Sequence, residues 1–569
     1  MPPKSFDPIA MEVFSNRLLT ITEEMGITLI RGSFSPNIKE RQDCSVALFD
    51  YRGRLISQAS HIPMHLGALE GGVHTILAKY SLEEIGEGDV FMCNDAYLAG
   101  GTHSPDITVV TPIFCDGKLR FFSTNLGHHS DVGGSTPGSV SPVAKTIFDE
   151  GLRIPLVRLV RGGELDEEVL DLVTCNSREP EDRTFDLKVQ IAANDRGRRL
   201  VQEMVNNYGL AEVEQSIDDV LTYTEQRLRN KIDAITDGKS RFTTWLDDDG
   251  FGGDPIAIVA TVSIVGDELF IDFEGTGPQA RGAYNMPAAA LNATVYYCVK
   301  TMVDPELMPN QGMSAAITIT APEGSLAKPK FPAAIGMRSC TAQPFAGAII
   351  GAFNGLLPPE NQMAAGNDAM PAFVVSGQSR RRPGAYVYVE TIGGGAGALY
   401  DQDGADGTHV HITNSSNLPA EALENEYPLL VEEYCLIPDT GGAGEHRGGL
   451  GIAREIRVLD DETFFYASSE KTVVHPYGVD GGAEGSLARI LVNPGTPHEQ
   501  SIPANQPGKA VQKGCSMRLE TPGGGGFGNP MARDEHALAE DLRDGKVSRE
   551  AAVLHYGSSK VDRALGKMA

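Results

Sequence analysis

Glycine, 64 residues of 569, is the feature that most constrains this chain. Much of it is clustered in the last third: Gly393-Gly394-Gly395-Ala396-Gly397, Gly441-Gly442-Ala443-Gly444, Gly448–Gly451 and Gly523–Gly526. Such runs supply left-handed backbone or let two chain segments approach closely. Together with short apolar stretches between them, they predict a Gly-rich, strand-rich C-terminal part. No tandem repeat of fixed period runs through it. Phosphate-binding loops are also glycine-rich, but the required spacing is missing here. Asp233, not Gly, lies five residues before Gly238-Lys239-Ser240, which excludes a Walker A loop. Gly393-x-Gly395-x-x-Ala398 is followed by Tyr400-Asp401-Gln402-Asp403-Gly404 instead of a helix, unlike a dinucleotide fingerprint. The chain is therefore expected not to bind ATP through a standard loop of its own.

Upstream, the pattern is mixed α and β. Asp7 reads as an N-cap and Pro8 as the first helical residue, with Phe14, Leu18, Ile21, Met25 and Leu29 forming one apolar stripe. Strands are expected at 44–50 and 54–57 around Arg52-Gly53, then at 90–94, 107–113 and 119–124. Two long amphipathic helices follow, at about 186–207 and 210–235. The Gly- and Asp-rich segment 237–255 is the expected domain boundary. A hairpin around Gly266-Asp267 and helical patterns near 288–303 and 346–356 come next. Arg380-Arg381-Arg382 reads as a solvated turn between strands, and 534–546 and 548–556 as short helices. The expected class is α+β (mixed α/β) and multi-domain, with boundaries at 1–237 (metal-bearing), 238–385 and 386–569 (Gly-rich).

Composition narrows the function. Lys and Arg number 48 against 76 Asp and Glu, a net charge of −28. This argues against a nucleic-acid binder, which gains affinity by neutralising phosphates, and against a polybasic membrane-surface protein. No apolar run approaches the ~18 residues of a transmembrane helix, and residues 1–7 lack the blocks of a signal peptide. The eight cysteines are scattered without a Cys-x-x-Cys pair, as expected of reduced thiols in the cytoplasm. No Gly-x-Ser-x-Gly elbow is present.

The chemistry-bearing pattern is a repeated His-x-x-Asp, at His103–Asp106 and His128–Asp131. Residues 107–113 and 119–124 should form a hairpin through Cys115-Asp116-Gly117. Folding about Asp116 sets Asp106 opposite Leu126 and His103 opposite His129, bringing both motifs to one end. Antiparallel strands lie about 5 Å apart, close enough to share a metal ion. Imidazole plus carboxylate suits Zn²⁺, Mn²⁺ or Fe²⁺, and Asp43, just before another strand, could complete the set. His409 and His411 would share a strand face and are read as hydrogen-bonded structural residues. His61 and His65, separated by Pro63, could line the same cleft or simply pack, and packing is the preferred reading.

Ordered motifs extend over nearly the whole chain: Ser35-Pro36-Asn37-Ile38-Lys39-Glu40-Arg41, His61-Ile62-Pro63-Met64-His65-Leu66-Gly67, Gly100-Gly101-Thr102-His103, His128-His129-Ser130-Asp131-Val132-Gly133-Gly134, His446-Arg447-Gly448-Gly449-Leu450-Gly451 and Thr521-Pro522-Gly523-Gly524-Gly525-Gly526-Phe527-Gly528. On these the chain resembles the beta (B-type) subunits of ATP-dependent hydantoinases and 5-oxoprolinases, a family related to a subunit of acetone and acetophenone carboxylases. The resemblance implies a metal held by Asp43, His103, Asp106 and His128, with Asp131 a further candidate. It also implies an ATP-binding A (alpha) subunit that binds ATP-Mg, phosphorylates a small cyclic amide and joins this chain in a hetero-oligomer, (αβ)n. The expected activity is hydrolysis of the phosphorylated ring, with His129 and Asp131 as general base or as groups orienting a ligand. The alternatives are a ketone carboxylase subunit and a scaffold whose metal only holds the hairpin. Ser469–Gly478 and Asn310–Ala315 depart from the family pattern, where a basic stretch and an Arg-Pro pair are common.

Overall fold

In the computed structural model, residues 8–59, 61–378, 384–505 and 507–566 are described. Asp7 and the Arg380–Arg382 turn lie outside them. The chain forms a mixed α+β, multi-domain architecture around four sheets.

The first sheet has seven strands: β1 (Cys44–Asp50), β2 (Leu55–Gln58), β3 (Val90–Cys93), β4 (Asp106–Cys115), β5 (Lys118–His128), β6 (Val157–Arg161) and β7 (Glu164–Leu165). Their order is β2-β1-β5-β4-β3-β6-β7, with antiparallel neighbours. Because side chains alternate along a strand, Cys44, Val46 and Leu48 of β1 pack against one layer while Ala47 and Phe49 pack against another. The first layer is built by three helices, α1 (Pro8–Gly32), α2 (Pro180–Tyr208) and α3 (Leu210–Asp233). The apolar stripe of α1 is buried from Phe14 to Leu29. Helix α2 starts before its apolar periodicity does. Its first half buries a polar face of Arg183, Asp186, Gln190 and Asn194, which a hydrophobic period cannot register.

The second sheet, β11-β10-β9-β8, comprises β8 (Gly238–Leu246), β9 (Ile256–Val265), β10 (Glu268–Asp272) and β11 (Ile317–Thr320). Part of the segment expected as a linker is therefore the strand β8. Helices α4 (Ala288–Met302) and α5 (Arg338–Asn354) share a core with this sheet. Helix α5 begins eight residues before its apolar pattern, since its buried first turns carry Arg338, Ser339, Thr341 and Gln343.

Two further sheets follow. One, β13-β12-β16-β19, is formed by β12 (Ala372–Gln378), β13 (Ala385–Thr391), β16 (Thr463–Ser468) and β19 (Lys509–Val511). The other, β14-β15-β20-β17-β18, is formed by β14 (Leu429–Leu436), β15 (Ile452–Val458), β17 (Arg489–Val492), β18 (Gln500–Ile502) and β20 (Ser516–Glu520). The C-terminal segment forms three helices, α6 (Glu535–Arg543), α7 (Arg549–Tyr556) and α8 (Ser558–Gly566), one more than the sequence suggested.

The glycine runs between these strands serve close approach, not left-handed backbone. Gly449 N donates to Ala396 O at 2.8 Å and Gly524 N to Gly449 O at 2.9 Å. A Cβ on Gly524 would lie 1.9 Å from Ala396 O, and one on Gly395 2.0 Å from Gly449 O. Three segments thus stack main chain on main chain, with no room for side chains. Among the described residues, no helix is long and apolar enough to cross a membrane.

Candidate metal centre

The β4–β5 hairpin brings the two His-x-x-Asp motifs to one end, with a register two residues from the expected one. Asp106 pairs with His128, not Leu126, and Ile107 with Gly127. Two local features cause the shift. Asp116 and Gly117 form a two-residue turn with φ of 53° and 71°, the backbone a tight hairpin needs. An irregularity between Ile113 and Phe114 then adds one residue to the β5 side. A shift of two leaves every side chain on its expected face.

His103, Asp106 and His128 are all buried, and one ligand atom from each lies within 4.8 Å of the others. The hydrogen-bond geometry indicates what the group is suited to hold. His103 Nδ1 donates to Gly336 O at 3.1 Å, leaving Nε2 as a bare acceptor. That nitrogen lies 3.3 Å from Asp106 Oδ1, and neither atom has a hydrogen-bond partner. Burial, then the charge of Arg338, pushes His103 below its ordinary value, and burial takes His128 down to about 3, so both rings are neutral. Burial alone would raise the Asp106 carboxyl, but neighbouring His103 and Arg338 outweigh it and hold it well below the usual carboxylate range. Two neutral imidazoles and an ionised carboxylate, with the unsatisfied His103 Nε2 and Asp106 Oδ1 converging, fit a divalent cation of the Zn²⁺, Mn²⁺ or Fe²⁺ type.

The surroundings fix these side chains. The Asn37 amide lies 2.6 Å from His128 Nδ1 and donates to the His128 carbonyl at 2.8 Å. Arg338 Nη2 donates to Asp106 Oδ2 at 2.7 Å, and the Thr102 hydroxyl donates to the same oxygen. His65 Nε2 stands 3.6 Å from that oxygen, while its Nδ1 contacts Ser45 Oγ at 3.0 Å. His65 is therefore part of the centre, although its sequence context suggested packing. Its position follows from the single turn Pro63–His65. Nothing in the sequence around Arg338 signalled its role.

The other expected site residues are placed differently. Asp43 is half-buried at the edge of the same cavity and accepts His128 N through its main-chain carbonyl at 3.0 Å, outside the group of three. His129 turns toward α2, where its Nε2 contacts Gln190 Oε1 at 3.0 Å. Burial takes its pKa down to about 4. Asp131 accepts from the amides of Gly133, Gly138 and Arg178 and pairs with the Arg178 guanidinium at 2.7 Å. Neither His129 nor Asp131 lines the cavity. Residues 409–411 are not a strand. His411 has φ 52° and contacts Asp368 Oδ1 at 2.7 Å.

The cavity beside the three residues has a mixed polar and apolar lining. Its polar lining includes Arg41, Asp43, His65, His103, His128 and Arg338, and its apolar lining Ile62, Met64, Val374, Ile412 and Tyr466.

Residues 7–530 match the family described as hydantoinase B/oxoprolinase. An uncharacterized protein of Methanocaldococcus jannaschii is 36% identical over 97% of this chain and 96% of its own length. The B-type subunit of a putative D-/L-hydantoinase from a Pseudomonas species is 31% identical over 98% of this chain and 96% of its own length. The 5-oxoprolinase 1 of Arabidopsis thaliana is 34% identical over 92% of this chain, which spans only 42% of that protein's length. Among solved structures, the ATP-dependent caprolactamase of Pseudomonas jessenii superposes with a TM-score of 0.91 at 29% identity, over 97% of this chain and 96% of that one. An acetone carboxylase chain shares the fold, with a TM-score of 0.88 at 18% identity, over 99% of this chain and 83% of that one. With motifs, family match and identity agreeing along almost its whole length, the chain belongs to the hydantoinase B/oxoprolinase family.

Proposed function

We propose that this chain is the metal-bearing subunit of an ATP-dependent cyclic amide hydrolase. It would open a hydantoin, 5-oxoproline or lactam ring whose carbonyl oxygen a partner subunit has phosphorylated. The observation that supports this most is the pair of buried, unsatisfied acceptors, His103 Nε2 and Asp106 Oδ1, converging beside His128 at a cavity with a partly apolar lining. An unstrained cyclic amide is a poor electrophile, and phosphorylation creates a leaving group on the ring carbon. His103, Asp106 and His128 would hold the divalent ion, with Asp43 at the cavity edge to complete the set. A bound ion of this kind supplies Lewis acidity and lowers the pKa of water.

The chain's own residues do the rest. Arg338 and Thr102 hold the Asp106 carboxylate in place, with His65 standing beside it. Ile62, Met64 and Ile412 offer an apolar seat for the ring's methylene groups. His129, through Gln190, and Asp131, through Arg178, pin the turn that follows His128 and so orient that ligand. The lack of a Walker A spacing supports a separate ATP-binding partner, as does the similarity to a hydantoinase chain that is itself one subunit of its enzyme.

The test is to co-express the chain with an ATP-binding A-type subunit and offer hydantoins, 5-oxoproline and larger lactams. Ring opening coupled to ATP hydrolysis is expected, and it should disappear with His103→Ala. A carboxylated product that requires bicarbonate would replace this reading with ketone carboxylation. Ring opening by the isolated chain without ATP would overturn it.

A further inference from the structure

We propose that the polar lining of the cavity is a phosphoryl-binding subsite, formed by Arg41, Arg338 and the first turn of α5. Arg41 is 2% exposed and lines the cavity. Its Nη1 donates to Asn37 Oδ1 and to the Val389 carbonyl at 2.7 Å, and its Nη2 to Thr391 Oγ1 at 2.9 Å, all neutral acceptors. Among the described residues no carboxylate pairs with it, and its Nε has no partner. A buried guanidinium without a counter-charge is unfavourable, and an anionic ligand would relieve it. Arg338, 4% exposed, lines the same space; it pairs with Asp106 and donates to Ser339 Oγ, and its Nε is likewise unpartnered. Arg338 and Ser339 open the 17-residue helix α5, and both line the cavity. The N-terminus of such a helix adds partial positive charge and favours anions.

The donor set specifies the anion. Two guanidiniums, the Ser339 hydroxyl and the first turn of α5 line one cavity, and donors from several directions suit the three terminal oxygens and double charge of a phosphoryl group better than the two oxygens of a carboxylate or bicarbonate monoanion. The inference rests on the function proposed above, in which the phosphorylated ring brings the dianion to the polar lining while its carbon skeleton meets the apolar one.

Calorimetric titration of the full, Mn²⁺-loaded chain with methyl phosphate, bicarbonate and acetate tests the subsite. Methyl phosphate should bind about tenfold more tightly than either monoanion. Arg41→Gln should weaken it about tenfold, Arg41→Lys by less, and Ser339→Ala by about threefold. Should Arg41→Gln fail to fold, the anion ranking and Ser339→Ala decide. Tighter binding of bicarbonate or acetate, affinities unchanged by the substitutions, or no saturable binding would overturn the proposal. Ring opening with the partner but no methyl phosphate binding would remove the subsite and leave the proposed function standing. Specific binding with no ring opened would do the reverse.

Discussion

Arg338 Nη2 and Asp106 Oδ2, 232 residues apart in sequence, form a buried hydrogen-bonded ion pair at 2.7 Å that ties the first turn of α5 to the start of β4. Removing the guanidinium leaves a carboxylate in a dry site. Arg338→Ala is therefore expected to destabilise the fold by about 3 to 5 kcal/mol, read from urea unfolding of the full chain. A loss under about 1 kcal/mol would show that water or a bound cation already compensates Asp106.

Metal content should follow the geometry of the centre. After loading with Zn²⁺ or Mn²⁺ and dialysis, elemental analysis should find a stoichiometric ion that His103→Ala and Asp106→Ala both remove. Asp43→Ala should retain the ion with affinity weakened about 10- to 100-fold. A chelator should lower the wild-type melting temperature and leave that of His103→Ala unchanged, because only a site that binds gains stability from its ligand. Full occupancy in Asp106→Ala would place the ion elsewhere.

Glu470, which is not one of the candidate ligands, introduces a pH dependence of its own. Its carboxyl is buried and accepts Met370 N at 2.9 Å; burial raises its pKa from 4.5 to about 7. The folded chain holds this proton where the unfolded chain releases it. Its contribution is therefore fully present below pH 4.5 and is lost as pH rises toward 7. Relative to Glu470→Gln, wild-type stability should fall by about 3 kcal/mol across that window, measured by denaturant titrations at successive pH values. Parallel pH profiles for the two proteins would refute it.

The glycine stack sets a steric prediction. Gly524→Ala puts a Cβ 1.9 Å from Ala396 O, a main-chain atom that cannot rotate away. It should cost about 3 kcal/mol or more, or prevent soluble folding. Gly566→Ala, with nothing within 4 Å of its Cβ, should change stability by less than about 0.5 kcal/mol. Equal stability of the two variants would mean that the stacked segments can separate.

Much of this molecule was legible because it is local. The stripe of α1, the Asp116-Gly117 turn and the convergence of His103, Asp106 and His128 follow from periods and turn chemistry within a few dozen residues. The register at Asp106 differs from the expected one by two residues: one comes from a turn centred between Asp116 and Gly117, the other from the irregularity at Ile113–Phe114, which leaves no mark in composition. Helices α2 and α5 extend upstream of their apolar periods because their buried first turns are polar: Arg183 in one, Arg338 and Ser339 in the other.

Sequence by itself determined the local hairpins, marked the glycine runs as special backbone and brought His103, Asp106 and His128 to one end of a hairpin. Only the tertiary structure decided that Arg338 holds Asp106 with His65 beside it, that His129 and Asp131 turn away, and that Arg41 is buried with no paired carboxylate among the described residues. Those contacts join distant segments. No spacing encodes them, because they are set by how whole sheets and helices pack and by which polar atoms that packing leaves dry.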